Sequence, residues 1–179
     1  MIDLPKWFKH DLRGKDTALV PFVVIGTVDD VSAAEDYLMI STGNLTLGSQ
    51  SQWNAKPLLL NIPSVKESID IESRNYKISN VTLELSNYSY GGKRLSDTFG
   101  SYATITESLI NVECRIFWAS PQSIGSVYFF DIQEPDWTPN DSVPLQVYYG
   151  VIRRYTHDDE KVRLVLEDRS QVSLHKDLP

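Results

Sequence analysis

The clearest strand signal in the chain lies towards the end of the sequence, and it limits the fold more than any other feature. Two strand-like runs, 145–155 and 161–167, follow each other, and in the second run Val162, Leu164 and Leu166 occupy alternate positions. Alternation with period two is typical of a strand with one face on a core and the other in water. Because five residues separate the runs, a common loop length, the sequence predicts a β-hairpin of two long strands.

Other strand patterns are spread along the chain. Residues 81–86 alternate apolar and polar, and residues 17–28 are dense in β-branched side chains. Further strands are predicted at 37–41, 110–118 and 126–131. Short helices are expected only at 96–99 and at 168–175. Many short strands separated by turn residues favour a mainly β protein, a barrel or sandwich with one or two short helices.

The length of 179 residues suggests one domain or two small ones. A weak boundary falls at residues 54–56, before an apolar run. We therefore expect an N-terminal arm with strands at 1–54 and a β-barrel region at 55–179, with one continuous β domain as the alternative.

The composition limits the classes of partner. The 24 acidic and 17 basic residues give a net charge of −7, so a phosphate backbone or an anionic membrane is a poor partner. Cys114 is the only cysteine, which fits a chain that folds in a reducing cytosol. Residues 1–16 lack the apolar stretch of a signal peptide, and the longest apolar run is broken by Pro21 and too short for a bilayer.

The tetrad His157-Asp158-Asp159-Glu160 is the most conspicuous chemical motif. One imidazole and three carboxylates suggest a metal site or an acid/base pair. However, adjacent residues at a hairpin tip diverge, whereas metal ligands converge from several elements. Aspartates in turns accept hydrogen bonds from nearby backbone N–H groups. We therefore predict a solvated turn, with the metal or acid/base site as the alternative.

No catalytic, cofactor or metal residue is assigned from the sequence. Cys114 lies in a strand pattern among apolar residues, which predicts a buried, inert thiol. The three histidines, His10, His157 and His175, lie near the chain ends or in a turn. The carboxylate pairs Glu35-Asp36 and Glu167-Asp168 are adjacent, and nothing places two of them across a cleft.

Strict alternation places Arg153 and Arg154 on opposite faces of one strand, so they are not expected to form a basic patch.

Among the aromatic residues, Trp118 and Tyr149 are predicted to lie in the core. Trp53 and Trp137 fall in loop-like stretches and are candidates for a contact surface.

Three blocks of sequence resemble a known family. They are LLLNIPSVKESIDIE at 58–72, YKISNVTLELSN at 76–87, and YYGVIRR at 148–154, the last closed by LVLED at 164–168 and HKDLP at 175–179. Together they are similar to the N-terminal region of tail hub (baseplate hub) proteins of tailed bacteriophages, particularly those of marine phages. The resemblance spans roughly residues 55 to 179 and contains no catalytic signature.

This resemblance implies a β-barrel related to the tail-tube fold and a structural role without enzymatic activity. It implies self-association into a ring, with a trimer favoured over a hexamer, that caps the tail tube in the virion after assembly in the host cytoplasm. The implied partners are the tail tube protein, the distal tail protein and tail tip or fibre proteins, with no specific nucleic-acid binding, no membrane and no cofactor. In the family the HKDLP-like block is followed by further domains, so a shortened hub, a distal tail adaptor and part of a longer product are the alternatives.

Two other functions remain open from the sequence. The first is a carbohydrate-binding β-sandwich of a receptor-binding device, whose platform would combine Trp53, Trp137 and the pair Tyr88/Tyr90. The second is a cell-wall hydrolase that uses carboxylates such as Glu167, or Cys114.

Overall fold

The structure, a computed structural model, describes residues 6–14, 18–26, 37–47, 53–61, 64–65, 67–70, 75–78, 80–89, 91–99, 109–120 and 144–169. Strands account for 55% of these residues, and only two short helices accompany them. The main sheet is antiparallel and curled into a half-barrel. This confirms the prediction of a mainly β protein of barrel or sandwich type with few helices.

The elements in chain order are α1 (Lys6–Leu12), β1 (Val20–Ile25), β2 (Leu38–Ser41), β3 (Leu45–Leu47), β4 (Trp53–Ala55), β5 (Glu67–Asp70), β6 (Asn75–Ile78), β7 (Val81–Ser86), α2 (Leu95–Thr98), β8 (Glu113–Ala119), β9 (Leu145–His157) and β10 (Lys161–Asp168). Six strands form one sheet in the order β2-β1-β8-β9-β10-β7. The remaining strands form two small hairpins, β3–β4 and β5–β6.

The chain that follows β4 lies between the two edge strands of the curled sheet and hydrogen-bonds to both. On one side, Lys56 exchanges two backbone hydrogen bonds of 2.9 Å with Met39 and Ser41 of β2. On the other side, the Leu58 carbonyl accepts a hydrogen bond of 2.7 Å from the Ser86 N–H of β7. We call residues 56–61 the linking segment. Because open strand edges promote unwanted pairing, the linking segment protects both edges of the sheet.

The side chain of Asn61 extends this protection along β7. Its Oδ1 accepts a hydrogen bond of 2.8 Å from the Glu84 N–H, and its Nδ2 donates one of 3.4 Å to the Thr82 carbonyl. The Leu60 N–H also donates to the Glu84 carbonyl, at 2.9 Å. The side-chain amide thus replaces a further residue of a neighbouring strand.

The concave side of the sheet encloses the larger hydrophobic core. Alternate residues of the strands point into it, as Val162, Leu164 and Leu166 of β10 do. Leu95 of α2 and Phe99 just after it belong to the same core, so the short helix packs over it. The alternation predicted from the sequence is therefore confirmed for β10.

A second, smaller core lies on the convex side of β1, β2 and β8. There the hairpin β3–β4 covers Phe22 and Phe117, whose rings are stacked with centroids 5.0 Å apart. Strand β1 is consequently buried on both faces. Pro21 lies near the start of β1, where the strand pairs with β8 but not yet with β2. Its missing N–H therefore removes no hydrogen bond to β2.

Several sequence predictions need new boundaries. Strand β8 begins at Glu113 instead of residue 110, because Asn111 adopts a positive φ of 70° that ends the preceding turn. Strand β9 extends to His157, so the predicted five-residue loop has only three residues. Trp53 lies in a strand, β4, not in a loop.

The remaining secondary-structure predictions divide into three groups. The helix predicted at 96–99 is present as α2, one residue earlier. Helix α1 and the strands β3 to β6 were not predicted. The predicted strand at 126–131 and all but the first two residues of the predicted helix at 168–175 lie outside the described residues.

The division of the chain at residue 54/55 stays a prediction. Within the described part of the chain, neither helix is long and apolar enough to cross a membrane.

Candidate functional site: the polar outer face of the sheet

The convex side of β7, β10, β9 and the start of β8 is polar, and we call it the outer face. The basic residues on it are Arg115, Arg153, Arg154, Lys161, Arg163 and Arg169. The acidic residues on it are Glu84, Glu113 and Glu167. Six positive and three negative charges give this face a net charge of +3, whereas the whole chain carries −7. The face is therefore positively charged in a chain whose net charge is negative.

A β-bulge in β9 determines which side chains reach the outer face. Ile152 pairs with Leu166, but Val165, the residue before Leu166 in β10, pairs with Arg154. Arg153 has no partner in β10 and is therefore the extra residue of the bulge. Cross-strand partners share a face of the sheet. Since Leu166 is in the core and its neighbour Val165 points outward, Arg154 points outward as well.

Arg153 also points outward, which its contacts establish. Its Nε donates to the carboxylate of Glu167, and its Nη1 donates to Oδ1 of Asn111 at 2.6 Å. Arg153 and Arg154 are both exposed.

The prediction that the two arginines face opposite ways and form no patch is therefore wrong. Tyr148, Gly150 and Ile152 are inward positions of β9. If the alternation continued without a break, the Arg154 guanidinium would lie in the apolar core. Burying an unpaired charge costs far more than inserting one unpaired residue into a strand. The sequence itself indicates this break, because uninterrupted alternation would put a charged residue, Arg154, at an inward position.

Glu84 lies at the β7 edge of the outer face between two cations. Arg163 Nη2 donates to one carboxylate oxygen at 2.6 Å, and Lys161 Nζ lies 3.7 Å from the other. The hydrogen bond from Arg163 first, and then the charge of Lys161, lower the pKa of the Glu84 carboxyl. Arg154, in contrast, makes no ion pair with another described residue. No carboxylate among the described residues therefore neutralises its charge.

Tyr149 lies at the other side of the outer face, between two guanidinium groups. The Cζ atoms of Arg115 and Arg169 lie 4.9 and 5.0 Å from its ring centroid. Its hydroxyl donates to Glu113 at 2.8 Å, and Arg169 contacts both that hydroxyl and the same carboxylate. Cation–π contacts and one shared carboxylate therefore hold the two arginines close together.

Tyr149 was predicted to lie in the core, and this is wrong. The adjacent Tyr148 takes that place, because Tyr148 pairs with Ile116 of the core and Tyr149 pairs with Arg115. Trp118, also predicted in the core, is only half-buried.

The tetrad at residues 157–160 consists of the last residue of β9 and the three-residue turn that leads to β10. Oδ1 of Asp158 accepts the N–H groups of Glu160 and Lys161 at 2.8 and 2.7 Å. These two backbone hydrogen bonds, Lys161 first, lower the pKa of the Asp158 carboxyl. The Asp159 carboxylate meets Arg94 at 2.6 Å. The prediction of a solvated turn is confirmed.

The turn is joined to the rest of the fold by Asn87, a buried side chain. Its Nδ2 donates to the Asp158 carbonyl at 2.6 Å, and its backbone N–H donates to the Glu160 carbonyl at 2.8 Å. Its Oδ1 accepts the Ser96 N–H at 2.9 Å. Asn87 therefore satisfies a free N–H of the first turn of α2, where Arg94, the N-cap residue, provides no side-chain cap.

An open polar depression borders the turn and is lined by Glu84, Thr156, His157, Asp158, Lys161 and Arg163. Its ionic groups are already engaged, Glu84 with its two cations and Asp158 with the backbone. The His157 ring stacks on Tyr155 at 5.2 Å. The depression thus belongs to the outer face and to the turn.

The other candidate groups do not come together. Cys114 is fully buried in the core, and burial raises the pKa of its thiol, as predicted for an inert cysteine. Glu167 points outward to Arg153, whereas Asp168 is buried, so this pair is split between two faces. His10, in α1, is exposed. His175 and the pair Glu35-Asp36 lie outside the described residues.

The aromatic platform is only partly described. Tyr88 is 62% exposed, whereas Trp137 and Tyr90 lie outside the described residues. In the described ranges, no three His, Cys, Asp or Glu side chains are grouped so that they could hold a metal ion.

Comparisons with known proteins leave the family undetermined. No family model matches this chain, and no curated protein matches it either.

Proposed function

We propose that this protein is a structural component of a bacteriophage tail. It would be a hub or adaptor that self-associates into a ring, caps the tail tube and connects it to the tail tip. The proposal follows from the resemblance of residues 55–179 to tail hub proteins, and places the protein in the virion tail after assembly in the host cytoplasm.

The observation that carries the proposal is the way in which the three resembling blocks meet. The first block supplies Leu58 and Leu60 of the linking segment, which hydrogen-bond to β7 of the second block. Strand β7 pairs with β10, and β10 pairs with β9, both from the third block. Segments that are distant in the sequence are therefore neighbours in one sheet. A resemblance confined to unrelated surface loops would not have this property.

The protected edges of the sheet favour a subunit that associates through side chains, not through strand pairing. The linking segment and Asn61 occupy the hydrogen-bonding groups of β7 from the Thr82 carbonyl to the Ser86 N–H. Strand addition at β7 would have to displace these bonds. Contacts between copies are therefore expected through side chains, not through a sheet continued across subunits as barrel packing alone would suggest.

The position of Cys114 argues against a cell-wall hydrolase with a cysteine nucleophile. The Cys114 side chain is fully buried among apolar residues, so it does not reach a substrate, and its raised pKa keeps it protonated.

Negative-stain imaging of the purified protein tests the proposal. Rings of uniform diameter with a central hole, present without any added partner, are the expected result. Single small particles at every protein concentration would contradict it. The matched control is the same preparation in a concentrated denaturant, in which rings should be lost.

A further inference from the structure

Two of the three carboxylates on the outer face are each shared by two cations. At the β7 edge, Glu84 lies between Arg163 and Lys161. At the β8 side, Glu113 contacts two arginines, which also approach the ring of Tyr149. Because one carboxylate neutralises one cation, each of these groups keeps an excess of positive charge.

Arg154 adds a further positive charge to the face. The bulge in β9 turns this side chain outward, where it is exposed. It makes no ion pair with another residue that the structure describes. The adjacent Arg153, in contrast, is neutralised by Glu167. The excess at the two shared carboxylates and the charge of Arg154 together account for the net charge of +3.

These positive charges follow the direction of β9. Arg115 pairs with Tyr149 of this strand. Further along β9, Thr156 pairs with Arg163, and Arg154 lies between the two levels. At about 3.3 Å per residue, and without the extra residue of the bulge, the two levels lie roughly 20 Å apart. An extended peptide of about six residues has this length and directs alternate side chains to one side.

We infer that the outer face is the docking surface for an extended acidic segment of another protein, whose carboxylates meet Arg154 and the two groups of shared cations. Complementary charge across an interface speeds encounter and disfavours wrong partners. Arginines that are already held in position lose little side-chain entropy when they meet carboxylates. The inference goes beyond the proposed tail role and does not depend on it.

The number of charges favours a protein segment over a nucleic acid. One strand of duplex DNA carries a phosphate about every 3.4 Å, which is about six over the same length. The face has a net charge of +3, and phosphates in excess of that would approach its three glutamates. A long polyanion is also repelled by a chain of net charge −7. Arginine and tyrosine, which form much of the face, are enriched in protein–protein interfaces.

The turn after β9 limits the docking surface at one end. Glu160 is exposed there and makes no ion pair with another described residue. Its carboxylate would repel those of the partner. The acidic segment therefore lies over the strands, between Arg115 and Lys161, and does not extend over the turn.

Charge reversal at Arg154 tests the inference, because this side chain has no ion pair to lose and the fold should be kept. The probe is a fluorescein-labelled peptide of about eight residues with glutamates at alternate positions, and the readout is fluorescence anisotropy with the full chain at low salt. We expect Arg154→Glu to weaken binding at least about tenfold. The matched control is Arg13→Glu, an exposed residue outside the face that undergoes the same change of charge. Thermal melting verifies the fold of both variants.

A second variant should act in the opposite direction, which loss of folding does not explain. Glu160→Gln removes a repelling charge and should strengthen binding of the same peptide about twofold. Raising the salt from about 0.1 M to about 1 M shortens the screening length from about 10 Å to about 3 Å and should release the peptide. The same peptide with glutamine in place of glutamate should not bind.

Three results would overturn the inference. The first is no binding of the acidic peptide to wild type at low salt. The second is equal binding by Arg154→Glu and Arg13→Glu, which would place the peptide elsewhere. The third is tighter binding of a duplex oligonucleotide of the same length at the same salt, which would make phosphate the partner. None of these results bears on the proposed ring, which is tested without any added partner.

Discussion

The side-chain amide of Asn87 donates a hydrogen bond of 2.6 Å to the backbone carbonyl of Asp158, 71 residues further along the chain. The same amide group accepts the Ser96 N–H at 2.9 Å. One buried side chain thus joins the β9–β10 turn, the end of β7 and the start of α2.

Replacing Asn87 with alanine should destabilise the fold markedly. The change removes one partly buried hydrogen bond to the Asp158 carbonyl and one from the Ser96 N–H, and a hydrogen bond contributes about 0.5–1.5 kcal/mol. We expect the free energy of unfolding in urea to fall by about 1–3 kcal/mol. The control Asn80→Ala, at an exposed position, should change it by less than about 0.5 kcal/mol. Equal effects of the two changes would show that Asn87 does not join these elements.

Gly150 is required by the close approach of its neighbours. A Cβ atom there would lie 2.3 Å from the Glu167 carbonyl oxygen and 2.8 Å from the Tyr148 ring. We expect Gly150→Ala to lower the free energy of unfolding by about 2–3 kcal/mol, as overpacking does. Gly43→Ala is the control, because a Cβ at Gly43 meets nothing within 4 Å. Chemical denaturation of both variants measures the difference, and a neutral Gly150→Ala would refute the packing described.

The Tyr148 hydroxyl is buried and has no hydrogen-bond partner among the described residues. Burial, followed by the nearby Asp168 carboxylate, raises the pKa of this phenol. Removing an unsatisfied hydroxyl should be neutral or stabilising, so Tyr148→Phe is expected to raise the free energy of unfolding by about 1 kcal/mol. Tyr88→Phe, at an exposed ring, serves as the control. A loss of stability in Tyr148→Phe would mean that the hydroxyl has a partner.

The Asp158 carboxylate makes the turn sensitive to acid. Its pKa is lower in the folded protein than its ordinary value of 3.8, because two backbone N–H groups donate to the ionised form. A lowered pKa contributes stability that is present above the ordinary pKa and is lost as the pH falls through the folded value. Wild type should therefore lose its advantage over Asp158→Asn below about pH 4. Melting temperatures of the two proteins across acidic pH provide the measurement, and parallel curves would contradict the expectation.

Cys114 should resist modification in the folded protein. The thiol is buried, and its raised pKa disfavours the reactive thiolate. A maleimide probe should label it only in concentrated guanidinium chloride, as read by mass spectrometry. Rapid labelling without denaturant would contradict its place in the core.

Local periodicity was sufficient to predict the strands that line the core. Val162, Leu164 and Leu166 alternate without interruption, and the structure places all three inside. Helix α1 was missed because seven residues carry little helical signal of their own, and the burial of Phe8 depends on tertiary contacts.

The outer face could not be predicted from alternation alone. Its position depends on the bulge at Arg153, where the energy of burying a charge overrides the period of two. The role of Asn87 likewise depends on contacts with residues far away in the sequence, which no local pattern reports.

The molar mass of the purified protein in solution, measured by light scattering over a range of concentrations at low salt, tests the central claim most directly. A subunit of a tail ring should give a discrete multiple of the 20.3 kDa chain, three or six copies according to the resemblance. A mass of one chain at every concentration would contradict the account.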